Sequence, residues 1–244
     1  MSYLRKRGLA SAFALLLLCS LPCSAANKKA AAGQVVDSGT FTIYVGGRRV
    51  ASEKFEITQT PEMNVAKAEL KIDQDKNPQV AELQLSSAGN LIRYQWTEKD
   101  QGSAVVEPKD EFLVEHVQTV QPAKTAEQPF LLPTSTLIQD DYFFSQRQIL
   151  LWRYLASQCR PTTTDQKCQL TPQMYGVIVP RQQTSMQVSV AYGGPDKVNI
   201  KGSDMDLTRF EMKFDGNSWM VWMDQAYKIQ KIAIAADNTE VFRE

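Results

Sequence analysis

Few residues in this sequence form a pattern that could do chemistry. His116 is the only histidine, and it lies in a strand-like context, VEHVQ. A catalytic triad through His116 would need a nucleophile and an orienting carboxylate beside it, and the chain has no Gly-x-Ser-x-Gly segment. A metal site would need further ligands, yet neither His-x-x-x-His nor a cysteine cluster is present. We interpret His116 as a satisfied or surface residue and expect neither a metal nor a cofactor.

Asp140 and Asp141 are adjacent carboxylates, but neighbouring residues on a helix point about 100° apart and make a poor acid and base pair. Helix capping is the better interpretation. A glycosidase would need two carboxylates facing each other across a cleft, which sequence spacing does not test. Gly46-Gly47 belongs to a hairpin and is followed by two arginines, so it is not a phosphate-binding loop. We therefore expect a protein that is not an enzyme.

Cys159 and Cys168 are separated by eight residues that include a proline and three threonines. In an exported chain this spacing favours a structural disulfide that closes a short loop. The alternative is a redox pair, but the spacing is not Cys-x-x-Cys.

Aromatic side chains are the candidate ligand-binding residues. We expect five of them near an apolar hollow: Phe143, Phe144, Trp152, Trp219 and Trp222. The segment Trp219 to Met223 is apolar on both faces, as expected for a strand that is covered on each side. The alternative is that these residues fill a solid core, which is the more common role of such a cluster.

One helix, predicted over about residues 140–158, would position three of these aromatic residues. It carries apolar residues around most of its circumference, so we expect sheet to enclose it. Its apolar run is too short and too interrupted by polar residues to span a membrane.

Short antiparallel strands are predicted on both sides of the helix. The clearest hairpin is 39–58, with Gly46-Gly47 as its turn and a bulge expected near Ala51 to Glu53. Residues 121–133, with three prolines, are predicted to connect sheet to helix. The pattern indicates a mainly β fold, a single antiparallel meander around one central helix.

The first 26 residues read as a signal peptide, with a basic start, an apolar stretch and small residues before the cleavage point. We expect a flexible arm over 27–37, a single domain over 38–244, and a periplasmic or otherwise exported protein. Cys19 and Cys23 invite lipidation, but Leu18 and Pro22 precede them where a small residue is needed, so we favour cleavage without an anchor.

Without the signal peptide the chain has 24 basic and 27 acidic residues, a net charge of −3. It has no basic surplus for neutralising phosphates, and we expect no nucleic acid partner.

The segments GTFTIYVGGRRVASEKFEI (39–57) and YKIQKIAIAADNTEVFRE (227–244) resemble the first hairpin and the last strands of uncharacterised bacterial envelope proteins. The curved antiparallel sheets of that group are similar to those of the lipoprotein carriers LolA and LolB. The resemblance implies an open or nearly closed β-barrel around a helix, with an apolar hollow for an acyl chain. The longer helical segment and its disulfide loop depart from the small carriers.

Two functions follow from the sequence. The first is a non-enzymatic envelope protein that binds or carries lipid or another apolar small molecule, with a cavity on the order of 300 Å³ or more. The alternative is a structural or assembly component of the envelope, whose solid-cored β domain binds a protein partner through a sheet edge or surface patch.

Overall fold

The computed structural model describes residues 33–161, 166–214 and 216–244. These residues form one α-helix and seventeen strands, together with 3-10 turns at Pro180–Gln182 and Ala235–Asp237. The helix α1 spans Ser145–Gln158. The strands are β1 (Gln34–Val45), β2 (Arg48–Gln59), β3 (Met63–Ile72), β4 (Gln79–Ser86), β5 (Leu91–Glu98), β6 (Gly102–Lys109), β7 (Phe112–Thr119), β8 (Lys124–Phe130), β9 (Leu137–Ile138), β10 (Cys159–Pro161), β11 (Gln166–Cys168), β12 (Gln173–Val179), β13 (Thr184–Ile200), β14 (Ser203–Phe214), β15 (Asn217–Met223), β16 (Ile229–Ile234) and β17 (Thr239–Arg243).

Fifteen strands form one curved sheet in the order β8-β7-β6-β5-β4-β3-β2-β1-β17-β16-β15-β14-β13-β12-β9. All neighbours are antiparallel except β9 and β12. β1 and β17, the first and last strands along the chain, pair with each other, with Phe41 opposite Arg243. This pairing joins a first meander, β1 to β8, to a second meander, β12 to β17. The predicted mainly β, antiparallel architecture is confirmed. Backbone pairing does not close the sheet, which ends at β8 and β9, so a closed barrel is not confirmed.

The hairpin of β1 and β2 follows the sequence closely. Gly46 and Gly47 adopt φ values of +57° and +76°, which suit the tight turns of two-residue hairpins. The register shifts where Ile43 lies opposite Ala51 and Tyr44 lies opposite Arg49, so Val50 is the extra residue of a bulge. The bulge was expected one residue later. It places Ala51, Phe55 and Ile57 on the buried face, although Val50 has the opposite parity.

The segment 121–133 is not simply a connection. It contains β8, an edge strand that pairs with β7. Its prolines hide the strand from a sequence-based prediction, but Pro129 is tolerated because an edge strand leaves one row of N–H groups unpaired. The side-chain amide of Gln128 on β8 donates to the carbonyl oxygen of Gln183 at 3.0 Å. This contact links the first meander to the turn between β12 and β13.

The helix begins at Ser145, not at Asp140 as predicted, and no carboxylate lies in its first turn. Leu150, Leu151 and Tyr154 are fully buried against the sheet, as are large side chains of the inner faces such as Phe41 and Phe210. Within the described residues, no helix combines the length and the apolar character that a membrane crossing requires.

Residues 34–37 of the arm predicted over 27–37 belong to β1. Residues 27–32, the signal peptide over 1–26 and residues 162–165 of the disulfide loop lie outside the described part of the chain.

Candidate functional site

A cavity of about 450 Å³ lies between the C-terminal half of α1 and the inner face of β2, β3 and β4. It is lined by Val36, Ile57, Gln59, Asn64, Ala66, Leu83, Leu85, Ser87, Ala88, Gly89, Leu137, Ile149, Trp152, Arg153, Ala156, Ala226 and Lys228. Ala66 pairs with Ile57 on one side and Leu83 on the other, so a methyl group stands at the centre of this wall. A small residue there leaves volume that a larger side chain would fill.

Trp152 is the predicted ligand-binding residue that the structure places at this cavity. Its indole N–H donates to the carbonyl oxygen of Tyr227 at 2.7 Å. Tyr227 has a positive φ of 56° in the turn between β15 and β16. The hydrogen bond therefore fixes both the indole ring and the loop that carries Ala226 and Lys228 to the cavity.

Three of the other predicted aromatic residues surround a buried cation. The guanidinium of Arg147 lies 5.5 Å from the ring centre of Phe144 and 5.1 Å from that of Trp219, and the two rings are 6.2 Å apart. Phe143 is fully buried, and its backbone carbonyl accepts a hydrogen bond from Arg147 at 3.0 Å. None of these three lines the cavity beside Trp152.

Trp222 lies on the opposite face of β15 from Trp219. Its indole N–H donates to Asp196 at 2.9 Å, and the Lys231 ammonium lies 5.6 Å from its ring centre. Since side chains alternate along a strand, residues three apart point to opposite faces. The spacing of Trp219 and Trp222 in the sequence therefore already indicated that they lie on opposite faces of the strand.

A buried carboxylate anchors the start of the helix. Glu53 on β2 accepts hydrogen bonds from the backbone amides of Phe144 at 2.6 Å and Ser145 at 3.2 Å, and from the Ser145 hydroxyl at 2.5 Å. Burial raises the pKa of the Glu53 carboxyl to about 7, against the opposing effects of these hydrogen bonds and of Arg147. Burial lowers the pKa of Arg147 to about 10.

Asp140 forms a second buried polar centre just before the helix. It accepts hydrogen bonds from the Tyr94 hydroxyl at 2.6 Å and from Nε of Arg181 at 3.0 Å. Arg181 also donates to Gln79 at 2.7 Å and to the carbonyl oxygen of Asp141. Burial, followed by the charge of Asp140, raises the pKa of Tyr94 well above its usual value. These contacts hold the segment before the helix against β4 and β5.

Asp37 joins the two ends of the domain to the helix. Its carboxylate pairs with Arg243 at 2.5 Å and with Lys228 at 3.1 Å, and it accepts a hydrogen bond from the Gln148 amide at 2.5 Å. Oε1 of the same Gln148 side chain accepts a hydrogen bond from the backbone amide of Ile229 at 2.8 Å. One buried carboxylate thus connects β1, β17, α1 and β16.

Glu115 is fully buried, and neither of its carboxylate oxygens has a hydrogen-bond partner among the described residues. Burial, followed by the charge of Asp140, raises its pKa to about 8. The next residue, His116, has a partly exposed side chain whose Nδ1 lies 3.6 Å from Glu127. Within the described ranges, no group of three or more His, Cys, Asp or Glu residues is arranged to hold a metal ion.

The predicted disulfide is present between Cys159 and Cys168, with an S–S distance of 2.09 Å. It lies immediately after α1 and joins β10 to β11. The disulfide therefore lies at the end of α1, and Glu53 holds the start of the same helix.

The buried charged residues that position α1 were not predicted from the sequence. Glu53 has the same parity as the buried residues Ala51 and Phe55, and Asp37 has the same parity as Phe41 and Ile43. A charged residue at an inward-facing strand position was the available signal.

No family model matches this chain, and no curated protein or solved structure is significantly similar to it. The resemblance to the lipoprotein carriers stays a prediction.

Proposed function

We propose that this protein is a non-enzymatic, exported envelope protein that binds or carries an apolar ligand such as lipid. The cavity beside Trp152 carries the proposal. Its volume of about 450 Å³ lies within the range of about 300–1,000 Å³ that is typical of small-molecule sites. Most of its lining residues are apolar, among them Ile57, Leu83 and Leu137, which suits an alkyl chain.

The architecture supports the same function. In this proposal the sheet acts as an open barrel, and α1 forms one side of the ligand site inside it. The Glu53 and Asp37 networks hold the helix to the sheet, so the cavity keeps its shape without ligand. The disulfide supports export, since such bonds persist in oxidising compartments such as the periplasm.

The test is to purify the full chain, expressed with its own N-terminal segment and without detergent, and to examine it by native mass spectrometry and solvent extraction. We expect a reproducible lipid or other apolar molecule to copurify. Trp152→Glu would place a charge in the apolar wall and should abolish copurification. Trp222→Glu is the matched control, because Trp222 lies outside the cavity.

A second variant, Ala156→Trp, adds bulk at an exposed helix position that lines the cavity, without introducing charge. We expect it to reduce ligand content while circular dichroism stays unchanged. Ligand-free wild-type protein that also fails to take up added lipids would overturn the proposal.

That outcome would favour the alternative, a structural or assembly component. One observation supports it: Leu131, directly after the edge strand β8, is 87% exposed. However, Lys124, Glu127 and Pro129 lie on β8, and charge and proline discourage pairing with a further strand.

A further inference from the structure

The charge around the cavity has one sign. Arg153 and Lys228 line it, and within the described parts of the chain no carboxylate does. Both cationic side chains are partly exposed, whereas Ile57, Leu83 and Leu137 are almost completely buried. The positive charge therefore lies at the mouth and the apolar surface lies inside, which is an amphipathic arrangement.

Arg153 is held in position without being neutralised. Its Nη1 donates to the backbone carbonyl of Gly89 at 2.7 Å, and among the described residues no carboxylate lines the cavity beside it. Gly89 has a positive φ of 79°, and a Cβ atom there would lie 3.4 Å from Nη1 of Arg153. A guanidinium has five N–H donors, so further donors remain for a ligand.

Lys228 shares its carboxylate partner with another cation. Its ammonium lies 3.1 Å from Oδ1 of Asp37, the same oxygen that pairs with Arg243 at 2.5 Å. Two positive charges thus meet one negative charge. Asp224 accepts hydrogen bonds from the backbone amides of Ala226 at 2.8 Å and Lys228 at 2.9 Å, whereas the Lys228 ammonium itself pairs with Asp37.

We propose that the ligand of this cavity is a single-chain amphiphile with an anionic head, either a carboxylate or a phosphate. Its chain packs against Leu83, Leu137 and Ile149, and its head meets Arg153 and Lys228 at the mouth. This inference rests on the proposed function, and it adds the charge and the position of the head group. Arginine suits both head groups, because its planar donors match carboxylate and phosphate geometry.

The test compares probes that share a dodecyl chain and differ only in the head: dodecanoate, dodecyl phosphate, dodecanol and dodecyltrimethylammonium. Binding to delipidated protein is measured by calorimetry below the micelle concentration. We expect the anionic probes to bind about tenfold more tightly than dodecanol, the gain of one charge-assisted hydrogen bond. The cationic probe should bind most weakly. The ratio of dodecanoate to dodecyl phosphate affinity identifies which head group the site prefers.

Variants of Arg153 and Lys228 test whether the preference for anionic probes arises at the mouth of the cavity. Arg153→Gln and Lys228→Gln should each lower the ratio of the affinity for anionic probes to the affinity for dodecanol. Arg153→Lys should retain most of the preference because it keeps the charge. Lys71→Gln is the matched control, since Lys71 is an exposed residue on β3 outside the cavity. Circular dichroism verifies the fold of each variant.

Different outcomes would overturn the anionic head group and the binding of an apolar ligand. Equal affinities for anionic, neutral and cationic probes would overturn the inference of an anionic head group. They would still agree with the proposal that the cavity binds an apolar ligand. Failure of every probe to bind would overturn the proposed function itself. An anionic preference that survives in the Arg153→Gln and Lys228→Gln variants together would place the head elsewhere and would also overturn this inference.

Discussion

The carboxylate of Glu53 on β2 accepts a hydrogen bond of 2.6 Å from the backbone amide of Phe144, the residue immediately before α1. The two residues are 91 positions apart in the sequence. The helix has no side-chain cap of its own, so a strand from the first meander supplies the acceptor that its first amides need. This contact sets where the helix starts and holds the wall of the cavity.

We predict that Glu53→Ala destabilises the protein by at least about 2 kcal/mol. The substitution leaves the amides of Phe144 and Ser145 and the Ser145 hydroxyl without their acceptor, and each buried unsatisfied group costs about 1–3 kcal/mol. Urea denaturation followed by circular dichroism measures the effect. Glu56→Ala, at an exposed position of the same strand, should change stability by less than about 0.5 kcal/mol. Equal stabilities for the two variants would contradict the capping role.

Stability should decrease as pH rises from about 4.5 to above 8. The pKa values of Glu53 and Glu115 are raised from 4.5 to about 7 and about 8, so the folded state binds more protons than the unfolded state across this window. The stabilisation is complete below pH 4.5 and is lost as pH passes through the folded pKa values. Carboxyls whose pKa is lowered, such as Glu211 and Glu244, act below pH 4.5. Urea midpoints between pH 5 and pH 8.5 test the direction; an increase would contradict it.

Replacing Glu115 should remove part of this pH dependence. Its carboxylate oxygens have no hydrogen-bond partner among the described residues, so Glu115→Met removes a buried ionisable group without breaking a contact. One pKa unit corresponds to about 1.4 kcal/mol, and the gain should therefore be larger at pH 8.5 than at pH 5. The comparison uses full urea curves of wild type and variant at both values. A variant that is less stable than wild type at pH 8.5 would show that Glu115 has a stabilising partner.

Loss of Asp37 should cost about 3–5 kcal/mol, the range for removing one partner of a buried ion pair. Asp37→Ala leaves Arg243 without its 2.5 Å partner and removes the acceptor of Gln148. The matched control is Asp73→Ala, because Asp73 pairs with Arg49 at 3.5 Å on the exposed surface and such pairs contribute about 0–1 kcal/mol. Similar urea midpoints for both variants would mean that the buried pair between β1 and β17 contributes no more stability than the exposed pair.

Reduction of the disulfide should leave a folded but less stable protein. Its loop is short, and the chain-entropy relation predicts a loss of about 2–3 kcal/mol. Intact mass with alkylation, before and after reduction, tests whether the bond is present in the purified protein. Thermal unfolding of the Cys159→Ser, Cys168→Ser double variant measures its contribution. Two free thiols before reduction would refute the structural role.

Much of the local structure could be predicted from the sequence. Alternating residues and the Gly46-Gly47 turn determined β1 and β2, and the parity of Val50 indicated a bulge one residue from where it lies. Cysteine spacing predicted the bond between Cys159 and Cys168. These features depend on residues that are near one another in the chain, where turn geometry and side-chain alternation act directly.

Only the tertiary structure decided where the helix begins, which tryptophan lines the cavity, and how the two meanders join. The start at Ser145 depends on Glu53, and the joining of β1 to β17 depends on backbone pairing between the ends of the domain. Such contacts are invisible to local propensity, because a remote acceptor can override a nearby Asp140 or Asp141. The cavity likewise depends on tertiary structure, because residues distant in the sequence, such as Ala66 and Trp152, line it together.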